Sequence, residues 1–283
     1  MKFRIFLPFL IGLSIAFLLY FLFHWWGFLV IFPWIGFAIS LGNIISRTQK
    51  GIKKNIGRKI SALLIMPCLL LFVPIINNEN FQLEGVALIV MAGFFGKGFI
   101  HYAIAKIFGP LIWGRGFCGW ACWSVAIFEW LPVKNNKKKI SDKIKNIRFL
   151  VLIISLLLPA FLVFVLNYDV RRDYIYKQEM LWMFAGNGIY FLLGIPLTLI
   201  TNDTRSFCKI ICHVSLVMKL PTQFAAIKIK TQGANCTSCG ACNKNCPMDV
   251  DVMKYVKGNK PITDSECVLC NDCKHVCPHG VLK

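Results

Sequence analysis

Acidic residues are scarce in this sequence. Across 283 residues there are 13 Asp and Glu against 32 Lys and Arg, a formal net charge of +19, and charged residues make up only 16% of a chain that is 57% hydrophobic. So little charge, so unevenly signed, excludes an ordinary soluble domain and places most of the length in lipid. Histidine is rare too, at five residues. No C-x-x-C-H attachment motif occurs, and the histidines in or near apolar runs are His24, His101 and His213, which sets haem aside. No small-residue cleavage site follows the first apolar run, because His24, Trp25 and Trp26 come next, so that run is expected to be a retained anchor and not a signal peptide. The excess cations cluster in short links between apolar runs without any nucleic-acid fold signature. Membrane topology and anionic lipid headgroups account for them, and nucleic acid is not an expected partner.

Apolar runs long enough to span roughly 30 Å of hydrocarbon fall at approximately 4–23, 27–45, 60–77, 85–106, 149–167 and 182–201. Charge sets their orientation. Arg47, Lys50, Lys53, Lys54, Arg58 and Lys59 crowd the link after the second run, and Lys134, Lys137, Lys138, Lys139, Lys143, Lys145 and Arg148 precede the fifth. With Lys2 and Arg4 these belong in the cytoplasm by the positive-inside rule. The opposite links agree: one carries Glu79 and Glu84, and in the other Asp169, Asp173 and Glu179 cancel Arg171, Arg172 and Lys177. Six spans with both termini in the cytoplasm are expected.

Eight of the thirteen cysteines form two copies of C-x2-C-x2-C-x3-C-P near the C-terminus: Cys236, Cys239, Cys242, Cys246, then Cys267, Cys270, Cys273, Cys277. This is the spacing of a ferredoxin holding two [4Fe-4S] clusters, in which the fourth cysteine of each run crosses to the other cluster. Cys236, Cys239, Cys242 and Cys277 are therefore assigned to one cluster, and Cys267, Cys270, Cys273 and Cys246 to the second. Zinc sites usually use two Cys pairs separated by a longer loop, and a disulfide framework needs an oxidising compartment; neither suits these runs on the cytoplasmic side. One-electron transfer is the chemistry expected of them.

Four more cysteines repeat a second pattern, R-x-F-C-x3-C, at Arg115, Phe117, Cys118, Cys122 and again 90 residues on at Arg205, Phe207, Cys208, Cys212. The fifth span also begins about 90 residues after the third. Spans three and four with their motif thus read as duplicated by spans five and six, two parallel repeats about an axis along the membrane normal. Opposed C-x3-C pairs, with cysteines at i and i+4 on a helix face, could supply four thiolates to a third metal site, an iron-sulfur cluster at the cytoplasmic membrane surface. Arg115 and Arg205 are placed to offset its charge; plain small apolar cysteines, as Cys68 is read, are the alternative. Lys97, in the middle of the fourth span, is costly in lipid and should face the bundle interior with His101 on the same face and Lys106 extending the row. A quinone headgroup bound by Lys97 and His101 is one reading of that pair, and an interhelical hydrogen bond or counter-charge is the other.

With these residues in view the chain resembles the membrane-bound polyferredoxin-like proteins of the NapH, NosR and CcoG types: Gly114-Arg115-Gly116-Phe117-Cys118-Gly119-Trp120-Ala121-Cys122 is similar to their G-R-x-F-C-G-W-x-C-P, and the similarity covers roughly 60–283. It departs from them where Trp123 and His213 replace the proline after each C-x3-C, and it lacks the long extracytoplasmic flavin domain of the NosR type, so any flavin must come from a partner subunit. The resemblance implies electron transfer between a quinol pool or cytoplasmic donors and another redox protein, in the cytoplasmic (inner) membrane of a prokaryote.

The expected architecture is an all-α membrane protein: a six-helix transmembrane bundle with an internal parallel repeat over 1–212, a linker at 213–230, and an α+β two-cluster ferredoxin domain at 231–283. The expected function is an electron-transfer component of a membrane oxidoreductase, with the bilayer and a membrane or cytoplasmic redox protein, such as a flavoprotein subunit, as partners. A redox maturation factor for a larger metalloenzyme is the alternative.

Overall fold

The computed structural model describes residues 3–78, 80–133, 140–169, 173–232 and 236–283. Of the charges used above, Lys2, Glu79, Lys134, Lys137, Lys138, Lys139, Arg171 and Arg172 lie outside the described residues, as do the side chains of Arg4, Lys97 and Asp173. The chain is mostly helical. In order the helices are α1 (Phe3–Phe23), α2 (Phe28–Thr48), α3 (Asn55–Pro67), α4 (Val73–Asn77), α5 (Leu83–Met91), α6 (Lys97–Tyr102), α7 (Gly109–Trp113), α8 (Gly116–Trp120), α9 (Trp123–Phe128), α10 (Asp142–Lys145), α11 (Ile147–Phe164), α12 (Asp173–Thr201), α13 (Ser206–Ile210), α14 (Val214–Thr222), α15 (Ala241–Lys244), α16 (Val252–Lys257) and α17 (Asp272–Val276). A 3-10 turn at Gly51–Lys54 leads into α3, and π turns at Cys68–Phe72 and Ala103–Phe108 join α3 to α4 and α6 to α7.

Among the described residues five helical stretches are long and apolar enough to cross a membrane: Ile5–Phe23, Phe28–Thr48, Gly51–Asn77, Asp142–Phe164 and Lys177–Thr201. They coincide with five of the six apolar runs and are consistent with a multi-pass membrane protein. The fourth run, 85–106, is not one helix. α5 ends in a Schellman closure, with Gly93 at φ +70, its N–H bonded to the Val90 carbonyl and that of Phe94 to the Ile89 carbonyl. Phe94 packs back on Leu88 and Ile89, and the next helix starts only at Lys97. Three glycines at 93, 96 and 98 weaken any helix through this point. Lys97 therefore opens α6 and does not sit mid-helix as its place in an apolar run suggested.

The chain divides into two compact units, neither following the 1–212, 213–230, 231–283 boundaries: Met1–Val73 with Gly116–Glu129 and Ile227–Lys283, and Pro74–Arg115 with Trp130–Ala226. In the first, α1 packs along α2 and α2 along α3. Gly42 and Gly57 let α2 and α3 approach so closely that a Cβ on either would strike the other helix, the small-residue packing expected between helices in lipid. Ser61 donates from Oγ to the Ala38 carbonyl at 2.9 Å. The π turn frees a carbonyl, since the Cys68 N–H goes to Ile65, and the Trp34 indole N–H satisfies Leu64 at 2.8 Å. The C-terminal segment of this unit is held by loops: among the described residues there is no strand, only an antiparallel bridge between Thr231 and Leu282, with Lys230 and Lys283 exchanging backbone bonds. Where an α+β ferredoxin domain is expected, the described residues hold the short helices α15, α16 and α17 and this single bridge.

In the second unit α5 packs on α11, and α12 on α13 and α5. A half-buried carboxylate joins them: Glu84 Oε1 accepts from Ser155 Oγ at 2.8 Å and from Tyr190 OH at 2.7 Å, with His213 Nε2 at 3.2 Å. The 213–230 segment, expected to be a linker, holds α14, which packs against α7 and α11 and buries Ser215, Met218 and Thr222.

Candidate metal centres

Four cysteines, Cys236, Cys239, Cys242 and Cys277, line one cavity. Another four, Cys246, Cys267, Cys270 and Cys273, line a second. Each cavity takes three cysteines from one run and the fourth from the other. The sulfurs surround open space and do not converge on a point: among the described residues no three His, Cys, Asp or Glu side chains meet as a single metal ion would require. All thirteen cysteines are free of disulfides.

The two runs fold alike because the same backbone positions turn left-handed. Ser238 and Leu269, Gly240 and Asn271, Asp249 and Gly280 all have positive φ, and each pair is separated by the 31 residues that separate the cysteine runs. Alternation of right- and left-handed residues turns successive N–H groups to one side, the concavity that accepts an anion. Gly tolerates this freely, whereas Leu269 at φ +51 is costly for a bulky residue.

Burial pushes the Cys242 thiol up, and does so more strongly at Cys273. Cys270 is raised well above the usual thiol range by burial and then by the Asp272 carboxylate, with Arg58 acting in the opposite direction. Thiols raised in this way become thiolates together only when a metal supplies the compensating positive charge. The apolar walls, anion-accepting turns and grouped thiols thus fit an iron-sulfur cluster in each cavity, and such a cluster supplies reversible one-electron oxidation and reduction. Beside the second cavity, burial aided by Lys54, Lys274 and Arg58 pushes the His275 imidazole down to about 4, so it is neutral at neutral pH.

The two C-x3-C motifs have the same local form. Phe117 accepts from the Ala121 N–H and Phe207 from the Ile211 N–H. Each first cysteine, Cys118 or Cys208, is buried on a five-residue helix, α8 or α13. The expected i and i+4 pairing on one helix is not what forms: α8 stops before Cys122, whose backbone is extended at φ −71 and ψ 121, and α13 likewise ends before Cys212. Cys118 and Cys122 belong to the first unit, Cys208 and Cys212 to the second. Arg115 and Arg205 are both fully buried.

In the sequence Arg58 and Arg148 serve only as orientation charges. Both are buried, at 2% and 3% exposure, and they stand 90 residues apart, the spacing of the C-x3-C repeat. Arg58 Nη1 donates to the Gly119 carbonyl inside the first C-x3-C at 2.9 Å and pairs with both Glu129 carboxylate oxygens at 2.8 and 3.1 Å. Arg148 Nη1 reaches Ser215 Oγ at 3.2 Å, and that hydroxyl donates to the carbonyl of Cys212 at 2.6 Å. The 90-residue period, extended beyond the cysteines, would have found this pair. In the second unit Asp203 joins the set, pairing with Lys209 at 2.7 Å and accepting from the Arg205 N–H at 2.9 Å. His101 lies on α6 with its ring 6.2 Å from that of Phe81, and Lys106 is buried in the π turn beyond it.

Two iron-sulfur family models match this chain. A 4Fe-4S dicluster domain matches residues 235–282, covering both cavities, and a 4Fe-4S binding domain matches residues 103–141, covering the first C-x3-C. Among curated relatives, uncharacterized protein MJ0749 of Methanocaldococcus jannaschii is 25% identical over 84% of this chain and 93% of its own length. Uncharacterized protein MJ0750 of the same organism is 26% identical over 68% of this chain and 83% of its own. The Escherichia coli protein named "Putative electron transport protein YccM" is 26% identical over 62% of this chain, a match spanning 52% of that protein. No solved structure matches the chain. The chain therefore carries 4Fe-4S segments on a set of apolar helices.

Proposed function

We propose that this protein is a membrane-anchored iron-sulfur electron-transfer protein of the NapH, NosR and CcoG type. Cys236, Cys239, Cys242 and Cys277 hold one [4Fe-4S] cluster, and Cys246, Cys267, Cys270 and Cys273 hold the other. The observation that carries this reading is the pair of cavities, each walled by four free cysteines drawn from both runs. Cys118, Cys122, Cys208 and Cys212 provide a third iron-sulfur site at the membrane surface, with the buried Arg115 and Arg205 guanidinium groups offsetting its negative charge; the recurrence of one local fold around each C-x3-C supports it. The broken segment from α5 through α7 makes a sixth crossing, which keeps both termini and the ferredoxin segment in the cytoplasm of a prokaryotic cell. A quinone held near Lys97 and His101, or an attached redox subunit such as a flavoprotein, exchanges electrons with the chain.

Iron and acid-labile sulfide analysis of the purified protein tests this. Two clusters require about eight irons per chain and a third raises that to about twelve. Cys118→Ser with Cys208→Ser is expected to remove the difference. About eight irons, unchanged by that double substitution, would eliminate the third site, and a protein without iron would eliminate the whole reading.

A further inference from the structure

The two cysteine sets are alike in sequence but not in surroundings. In the first set Cys239 is exposed and Cys236, Cys242 and Cys277 are half-buried, whereas in the second Cys246, Cys270 and Cys273 are buried and Cys267 is half-buried. The second set is covered from within its own unit. α17, which carries Cys273, packs on the 3-10 turn Gly51–Lys54. The loop from Cys267 to Cys270 meets the first C-x3-C directly: Trp120 Nε1 donates to the Leu269 carbonyl at 3.0 Å across 149 residues of sequence. Gly119 lies so close to the Val268 carbonyl oxygen that any Cβ there would collide with it. Arg58 holds the other side of this contact, buried and bonded to the Gly119 carbonyl at 2.9 Å. The residue receiving the Trp120 bond is Leu269, at φ +51, a conformation that persists where surrounding contacts over-determine it.

We propose that Gly119 and Trp120 are positioning residues that dock the second cysteine set onto the first C-x3-C segment, making the second set the inner, membrane-side station of the electron path and the first set its outer station. The inference rests on the two-cluster reading above. Each transfer along the path moves one electron and makes or breaks no bond: a soluble one-electron carrier protein is oxidised as the outer station is reduced, or the reverse. Glycine at 119 permits the approach, and the indole at 120 fixes its register through one hydrogen bond.

The test uses the full chain in lipid nanodiscs. One protein keeps the second set only (Cys236→Ser with Cys239→Ser) and another keeps the first only (Cys267→Ser with Cys270→Ser). Microwave power saturation of the reduced iron-sulfur EPR signal is recorded with and without a soluble dysprosium chelate, which relaxes centres near the aqueous surface. The signal from the first set is expected to relax several-fold more strongly than that from the second. Adding Trp120→Phe, which keeps the ring and removes the N–H donor, should raise the second set's relaxation toward the first's while its iron content holds. Equal relaxation of the two sets, or an insensitive Trp120→Phe protein, overturns the proposal. If either double variant fails to fold, the two signals of the otherwise unaltered chain, separated by redox titration, provide the same comparison. Loss of iron from every protein would instead overturn the two-cluster reading itself.

Discussion

Replacing Glu129 with Gln should be among the most damaging single changes outside the cysteines. The carboxylate meets Arg58 through two hydrogen bonds of 2.8 and 3.1 Å, and the paired side chains are 2% and 4% exposed. Removing one charge strands the other in a low-dielectric site, a loss of about 3–5 kcal/mol, because the attraction that offset desolvation disappears while the desolvation remains. That is roughly two to three and a half decades in an equilibrium constant. Arg58→Met strands the carboxylate instead and also deprives the Gly119 carbonyl of its donor, adding about 1–3 kcal/mol. The double variant Arg58→Met with Glu129→Gln has no stranded charge, so it should retain only the Gly119 cost. Unfolding in mixed micelles, followed by tryptophan fluorescence for all four members of the cycle, should give a coupling of at least about 3 kcal/mol. Single effects that add to within about 0.5 kcal/mol in the double variant would show that the pair is not the buried interaction described.

Two further outcomes follow from the cavities and from α6. Cys277→Ser should reduce iron from about eight to about four per chain for the ferredoxin segment and erase the signal of the first set alone, and Cys246→Ser should erase the second; loss of the same signal in both would refute the crossed assignment. His101→Ala should leave iron content unchanged and slow quinol-linked reduction, and unchanged kinetics in stopped-flow absorbance would refute a quinone role for that histidine.

Much of this arrangement is legible without coordinates where the determinant is local. An apolar run of about twenty residues spans lipid whatever surrounds it, because unpaired backbone groups leave it no alternative to a helix. Five such runs form long helices. The sixth does not, although Gly93, Gly96 and Gly98 mark it in the sequence, because apolar composition and helical continuity are different properties and hydropathy reports only the first. The α14 helix shows the converse: a short segment after the last long helix reads as a linker until it packs on α7 and α11 and buries Ser215, Met218 and Thr222.

By itself the sequence determined the chemistry on offer: two cysteine runs at cluster spacing, a second cysteine pattern repeated after 90 residues, and a basic, apolar chain suited to lipid. These are short-range facts, set by residue type and spacing. The tertiary structure alone decided that Arg58 is a buried partner of Glu129 and not a free orientation charge, and that the second cysteine set is the one covered by Gly119 and Trp120. Both depend on contacts between segments 71 and 149 residues apart. Nothing local distinguishes an arginine that will be buried from one left in water, or one of two near-identical cysteine runs from the other, until packing gives each a different neighbour.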